Sequence, residues 1–548
     1  MTENAAPTQI DEIRAGYAFE GAALEFGAAV IDGTAHPDAP VKIPLAVLNR
    51  HGLVAGATGT GKTKTLQLMA EQLIEQGVPV FLADIKGDLS GMASPGQPND
   101  KITARAADIG MAWEPTAYPV EFFSLGGQGK GIPIRASVSM FGPTLLSKCL
   151  GLNATQESSL GLIFHYADTK GLWLDTIGDL RAVVQFLTSE TGKADLKDLG
   201  GLSPATAGVI LRELVNFSAQ GADVFFGLPE FDSNDLLRTA PDGRGVLSML
   251  ELPAVQDRPQ LFSTFLMWLL ADLFHDLPEE GDLDKPKLVF FFDEAHLLFN
   301  DASKDFLDAI QQTVRLIRSK GVGVFFVTQS PKDVPTDVLA QLGNRVQHAL
   351  RAFTPDDEKA LRAAVKTYPK TAYDLQELMT SLGIGEAVIT VLSERGAPTP
   401  VAWTRMRAPE SLMDPSPDAL LDATVAASPL APKYATAIER ESASEMLGKK
   451  TAELDAAARA AAQEAENAKV REAAAKQAER ERLAVEKQAA KDAAAAEKAK
   501  AAAERKEAAE PGMVESVVKS SAFKSMLRSA GTVIGREITR SIFGTSRR

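Results

Sequence analysis

Cysteine is almost missing from this 548-residue chain: Cys149 stands alone. No intramolecular disulfide can form. Six scattered histidines and one cysteine give no zinc-binding spacing either. Such usage fits a reducing compartment. Met1-Thr2-Glu3-Asn4 opens without a basic stretch leading into an apolar one, so no secretory signal is expected. Long apolar runs are lacking too. The longest, Leu261 to Phe274, is broken by Asp272 and falls short of the ~20 residues that span a bilayer. A cytoplasmic protein is the expectation. What is present is ordinary globular composition, 45% hydrophobic and 24% charged, which excludes a wholly disordered chain or a fibrous repeat. The length predicts three or four units, or one large α/β domain with insertions.

Charge divides the chain unevenly. Residues 451–510 carry twelve basic and thirteen acidic side chains, and residues 511–548 carry seven basic and two acidic. With a total of −14, the body over 1–450 therefore carries −18. An acidic body does not attract nucleic acid over its whole surface, because that binding is largely phosphate neutralisation. A narrow basic channel inside an acidic particle is still compatible with it. The 451–510 segment is rich in strong helix formers, with opposite charges at helical spacing such as Glu472/Lys476 and Glu497/Lys500. Its large apolar residues are only Leu454, Val470, Leu483 and Val485. That predicts a long solvated helix acting as a spacer or arm, with an Ala-lined coiled coil as the alternative. After Pro511-Gly512, the tail interleaves Lys519, Lys524, Arg528, Arg536 and Arg540 with small apolar groups. It reads as a basic amphipathic tail suited to a protein partner, a membrane surface, nucleic acid or its own oligomer.

The strongest signal is Gly56-Ala57-Thr58-Gly59-Thr60-Gly61-Lys62-Thr63, which fits the P-loop pattern G-x-x-x-x-G-K-S/T without deviation. A short apolar strand, His51 to Ala55, precedes it. A helical pattern from Thr65 to Gln76 follows and stops at Gly77. Glycines let backbone N–H groups turn inward around phosphate oxygens, and the helix adds its N-terminal dipole. Ala57, Thr58, Gly59, Thr60, Gly61, Lys62, Thr63 and Lys64 are the expected nucleotide-binding residues. Lys62 reaches the β/γ-phosphates of ATP, and the Thr63 hydroxyl ligates Mg2+.

The second signal is Leu288-Val289-Phe290-Phe291-Phe292-Asp293-Glu294. Apolar density of this kind predicts a strand buried on both faces of a parallel sheet, ending in two carboxylates where such sheets place ligands. Asp293 is expected to hold Mg2+, and Glu294 to orient and polarise the attacking water. A third strand, Val322 to Val327, ends in Thr328-Gln329-Ser330-Pro331, where Gln329 is placed to sense the γ-phosphate or the water. The helix before it runs from a Ser303 cap to Gly321, with Phe306, Ile310, Val314 and Ile317 as its buried stripe. A further strand near Val346 to Leu350 is flanked by Arg345 and Arg351, candidates for the arginine that stabilises transition-state charge. Of these, Arg345 is the expected catalytic arginine.

These motifs resemble the HerA/FtsK superfamily of P-loop ATPases. The likeness lies in Asn49-Arg50-His51 before the P-loop, in Phe292-Asp293-Glu294-Ala295-His296, in Arg318-Ser319-Lys320-Gly321-Val322-Gly323 and in Val327-Thr328-Gln329-Ser330-Pro331. Ala83-Asp84-Ile85-Lys86-Gly87-Asp88-Leu89-Ser90-Gly91, Phe226-Gly227-Leu228-Pro229-Glu230-Phe231-Asp232 and Ile534-Gly535-Arg536-Glu537-Ile538 are similar to a bacterial HerA-like branch of unassigned function. The resemblance covers about 20–410. It implies a hexameric ATPase with ATP sites at subunit interfaces. DNA-translocating HerA proteins also carry a sizeable N-terminal β-barrel, whereas about 45 residues precede the P-loop strand here, room for a few strands. Asp293-Glu294-Ala295-His296 also spells a DEAH box, but the spacing from the P-loop is too long and no second RecA-like domain is apparent.

The expected architecture is α/β: a RecA-like P-loop NTPase core with a mainly parallel sheet, a helical insertion and a long C-terminal charged helix. Its segments are a short N-terminal β-rich segment (1–45), the P-loop half of the core (46–142), a mostly helical insertion (143–235), the Walker B half (236–430), the Ala/Glu/Lys-rich arm (431–510) and the basic tail (511–548). The expected function is Mg2+-dependent ATP hydrolysis by a ring-forming homo-oligomer that translocates DNA. The alternative is an ATP-switched assembly or scaffold protein engaging a protein or membrane partner through its C-terminal helix and tail.

Overall fold

The computed structural model describes residues 8–281, 283–299 and 304–507. The Ser303 cap and the 511–548 tail lie outside the described residues. Residues up to Ala452 form one compact unit, and a second unit begins at Glu453.

A single twelve-stranded sheet organises the first unit. Its strands are β1 (Ala23–Ile31), β2 (Thr34–Pro44), β3 (Gly52–Ala55), β4 (Val80–Asp84), β5 (Val120–Leu125), β6 (Ile132–Ile134), β7 (Leu247–Glu251), β8 (Leu288–Phe292), β9 (Val322–Thr328), β10 (Asn344–Gln347), β11 (Glu386–Thr390) and β12 (Ala402–Met406). The spatial order is β2-β1-β12-β11-β10-β3-β9-β8-β4-β7-β5-β6. Every pairing from β10 to β6 is parallel. Every pairing from β2 to β10 is antiparallel. The P-loop strand β3 is thus separated from the acidic strand β8 by one strand, β9. This is the RecA-like α/β arrangement of an additional-strand P-loop NTPase.

The sequence explains why the parallel half is buried on both sides. β4, β8 and β9 have no exposed residue, as near-continuous apolar runs require. Alternation then divides the core. Val289 and Phe291 join Leu66, Met69 and Leu73 of the helix α2 (Lys62–Glu75) on one face. Phe290 and Phe292 join the opposite face with Phe326, Ile310, Val314 and Ile317. That second face also carries the helices 138–149, 154–169, 177–188 and 204–219, whose apolar residues merge into the same cluster. The first of them kinks at Gly142-Pro143, because proline has no N–H to continue the ladder. Phe141 beside the kink stacks on Trp268 at 5.8 Å and tilts onto Phe226 at 5.0 Å.

Before the P-loop strand, a short helix, α1 (Gln9–Gly16), precedes the β1–β2 hairpin, which extends the sheet's antiparallel edge. The long C-terminal helix runs Ala443–Glu507. From Glu453 to Arg505 all its side chains are exposed, and Glu472 pairs with Lys476 at 2.6 Å. Among the described residues, no helix is long and apolar enough to cross a membrane.

Candidate active site

The site assembles where β3, β4, β8 and β9 end. Between β3 and α2 the P-loop is tied to both neighbouring strands. Gly56 N–H donates to the Thr328 carbonyl at 3.2 Å and Ala57 N–H to the Ala349 carbonyl at 2.8 Å. Thr60 Oγ1 and Lys62 Nζ both donate to the Ala57 carbonyl, at 2.7 and 3.1 Å. Gly61 takes φ +117° as it enters α2, a conformation a side chain would strain. A Cβ on Gly56 would meet the His348 Cβ at 2.5 Å. His348 is buried and buttresses α2: its Nε2 accepts from Thr65 Oγ1 at 2.8 Å, and its Nδ1–H donates to the Glu386 carbonyl at 2.9 Å. Burial pushes its pKa down to about 4, so the ring stays neutral.

Lys62 is buried under the loop, and burial draws its ammonium below the ordinary lysine range. Glu294 and Asp293 oppose that shift, which places both carboxylates within the field of Lys62. Asp293 is only 3% exposed, and its Oδ2 has no hydrogen-bond partner. Burial first, then the charge of Glu294, pushes its pKa up to about 7. An orphaned buried carboxylate oxygen of this kind fits a divalent cation. Thr63, in the first turn of α2, would supply the second oxygen.

Glu294 has φ +45°, rare for a residue with a long side chain and the kind of backbone strain that collects at working sites. Its Oε1 is held by Lys86 Nζ. Its Oε2 lies 3.2 Å from His296 Nδ1 but makes no well-directed hydrogen bond. Burial would raise the Glu294 carboxyl; the Lys86 hydrogen bond and charge, together with the charges of His296 and Lys62, outweigh it and hold the group below its ordinary value.

Two cavities open beside the P-loop. The first, of about 440 Å³, is lined by Ala57, Thr58, His296, Gln329 and Arg351 among others. It brings Gln329 next to the P-loop. The second, of about 270 Å³, flanks Gly61, Lys64 and Thr65 and is walled by Ile102, Ile384, Met406, Pro409 and Met413. Arg345 is in neither. It lies on β10 level with Leu53, with its guanidinium on Thr367 Oγ1 at 2.5 Å. The segment 410–412 that follows β12 is bound to α2. Glu71 accepts from Glu410 N–H at 2.9 Å and Ser411 N–H at 3.0 Å, and Gln67 Nε2 donates to the Leu412 carbonyl at 3.0 Å.

Sequence reasoning assigned no role to Lys86, His296, His348 or Glu71, which the structure brings to the site or to the helix beside it. Lys86 carried a local signal, an Asp-x-Lys at the end of a buried strand. His296 contacts Glu294 within the same Asp-Glu-Ala-His stretch, while His348 and Glu71 meet partners that no local pattern marks.

The sequence profile of the helicase HerA-like C-terminal family matches residues 30–548. The chain belongs to that family. Among curated HerA-like relatives, the DNA double-strand break repair helicase HerA of Sulfurisphaera tokodaii is 23% identical over 360 residues, covering 64% of each chain. The HerA of Saccharolobus solfataricus is 21% identical over 356 residues, covering 64% of this chain and 63% of its own. This HerA-like chain thus spans about 64% of the length of the curated relatives it matches. Among solved structures, the bacterial conjugative coupling protein TrwB aligns with a TM-score of 0.49 at 15% identity, covering 76% of this chain and 97% of that one.

Proposed function

We propose that this HerA-like chain is a Mg2+-dependent ATPase that works as a ring-forming, hexameric DNA translocase. One observation carries the hydrolytic reading. The unpartnered Asp293 oxygen and the strained Glu294 end a strand one place removed from the P-loop strand, facing Lys62. ATP phosphates are cradled by residues 57–63, and Lys62 leaves the Ala57 carbonyl to neutralise phosphate charge. The apolar cleft beside Lys64 and Thr65 takes the nucleoside. Bound at Thr63 and Asp293, Mg2+ would neutralise the phosphates and fix their geometry. Glu294 orients the attacking water and accepts its proton as the water oxygen bonds to the γ-phosphorus. The bond from that phosphorus to the bridging oxygen breaks, giving ADP and phosphate. Gln329, across the first cavity, positions the same water.

Motor action on DNA rests on the family and on relatives whose names describe DNA double-strand break repair helicases. The acidic body, with −18 on residues 1–450, supports a second reading: an ATP-switched assembly that engages a protein or membrane partner through its C-terminal helix and tail. ATP turnover with and without double-stranded DNA separates the two. The motor reading predicts stimulation that fades steeply between low and moderate salt, as counterion release requires. Robust turnover indifferent to DNA contradicts it and favours the assembly.

A further inference from the structure

Among the described residues, Lys86 is the lysine paired with the carboxylate assigned to water activation. Its ammonium holds Glu294 Oε1, and its side chain is 46% exposed while that of Glu294 is only 7% exposed. The two ends of Lys86 are held very differently. Its backbone is pinned by Asp84, whose carboxylate accepts from the N–H groups of Lys86 at 3.2 Å, Gly87 at 2.7 Å and Leu89 at 2.9 Å. Asp84 itself is fully buried at the end of β4, beside β8. The side chain, by contrast, is nearly half exposed where it meets Glu294. There its charge is felt by Lys62, the lysine of the P-loop. A fixed base, a flexible four-carbon stem and two lysines facing one acidic pair place the Lys86 ammonium within a side-chain swing of the incoming phosphates.

We propose that Lys86 is a positioning residue that latches Glu294 and hands over to the γ-phosphate when ATP binds. This rests on the ATPase reading and adds a step to it. While it lasts, the ion pair ties up the oxygen that would hold the water. The γ-phosphate carries more charge than one carboxylate and draws the ammonium away. Glu294 is released only when the phosphate to be cleaved is in place. ADP has no γ-phosphate and leaves the latch closed.

The test uses the full chain with Mg2+, and calorimetric titration of ATPγS and of ADP into wild type, Lys86→Met and Lys86→Arg. A charge-assisted contact of this type is worth about tenfold in affinity. Lys86→Met is expected to bind ATPγS about tenfold more weakly, with ADP affinity unchanged within about twofold. Lys86→Arg is expected to recover most of the loss. In turnover, Lys86→Met raises KM for ATP as well as lowering kcat. A residue that merely shaped the loop would lower kcat and leave the preference for ATPγS over ADP intact. ATPγS affinity in Lys86→Met equal to that of wild type overturns the latch alone. Failure of the wild-type chain to bind either nucleotide overturns the ATPase reading and the latch with it.

Discussion

Glu71 is a buried carboxylate on α2 that anchors the segment walling the apolar cleft. Burial raises its pKa from 4.5 to about 7, against the hydrogen bonds from Ser411 and Glu410. The folded state therefore keeps a proton that the unfolded chain releases. Stability from this group is complete below pH ~4.5 and is lost as pH rises through about 7. At 1.36 kcal/mol per tenfold, the loss comes to about 3 kcal/mol by pH 8.5. Glu71→Gln removes the titration. It also turns a donor toward Glu410 N–H, which the native Oε2 satisfies at 2.9 Å, at a cost of about 1–3 kcal/mol. At pH 5 the variant should be the less stable protein by that amount. By pH 8.5 the loss in wild type should bring the two level or reverse their order. Paired thermal or urea unfolding at pH 5, 6, 7 and 8.5 follows the difference directly. A difference that stays constant across this range refutes the argument, because it would mean that Glu71 is ionised in both states throughout.

Two further outcomes are expected. Arg345 is bound to Thr367 and stands outside its own P-loop cavity, so the proposed role of transition-state arginine is open to it only across a subunit boundary of the proposed ring. Arg345→Ala should then lose about 10³-fold in kcat, and mixing it with Glu294→Gln subunits should restore turnover at the mixed interfaces; no recovery on mixing removes Arg345 from the role. Phe141→Ala empties an aromatic cluster in which Phe141 is only 4% exposed, and should cost about 3–5 kcal/mol in urea unfolding. A loss below about 1 kcal/mol would mean that the helices of residues 138–219 are not held to the core through this cluster.

How far the sequence could be read depended on how local the signal was. The P-loop and the strands ending at Asp293 and Thr328 were legible because each is a short apolar run closed by a polar motif. Edges were less so. The strand expected near Val346 to Leu350 lies at Asn344–Gln347. Its buried Asn344 looks like a loop residue, yet its Nδ2 donates to the carbonyls of Val47 and His51. The strand stops early because Ala349 turns to accept from the P-loop at Ala57. Likewise α2 begins at Lys62, ahead of the apolar periodicity that starts at Thr65, since its first turn is polar for the sake of phosphate. The hidden part was long-range. Lys86 and Glu294 are 208 positions apart, and Glu71 and Ser411 are 340 apart. No periodicity or motif joins such pairs; only the strand order does.

The most direct measurement is steady-state ATP turnover of the purified full chain with Mg2+, wild type against Glu294→Gln, with nucleotide binding followed in parallel. The account predicts that the variant binds ATP and stays folded while kcat falls by at least about 10²-fold, because the group that takes the proton from water is gone. Turnover in Glu294→Gln equal to that of wild type would contradict it.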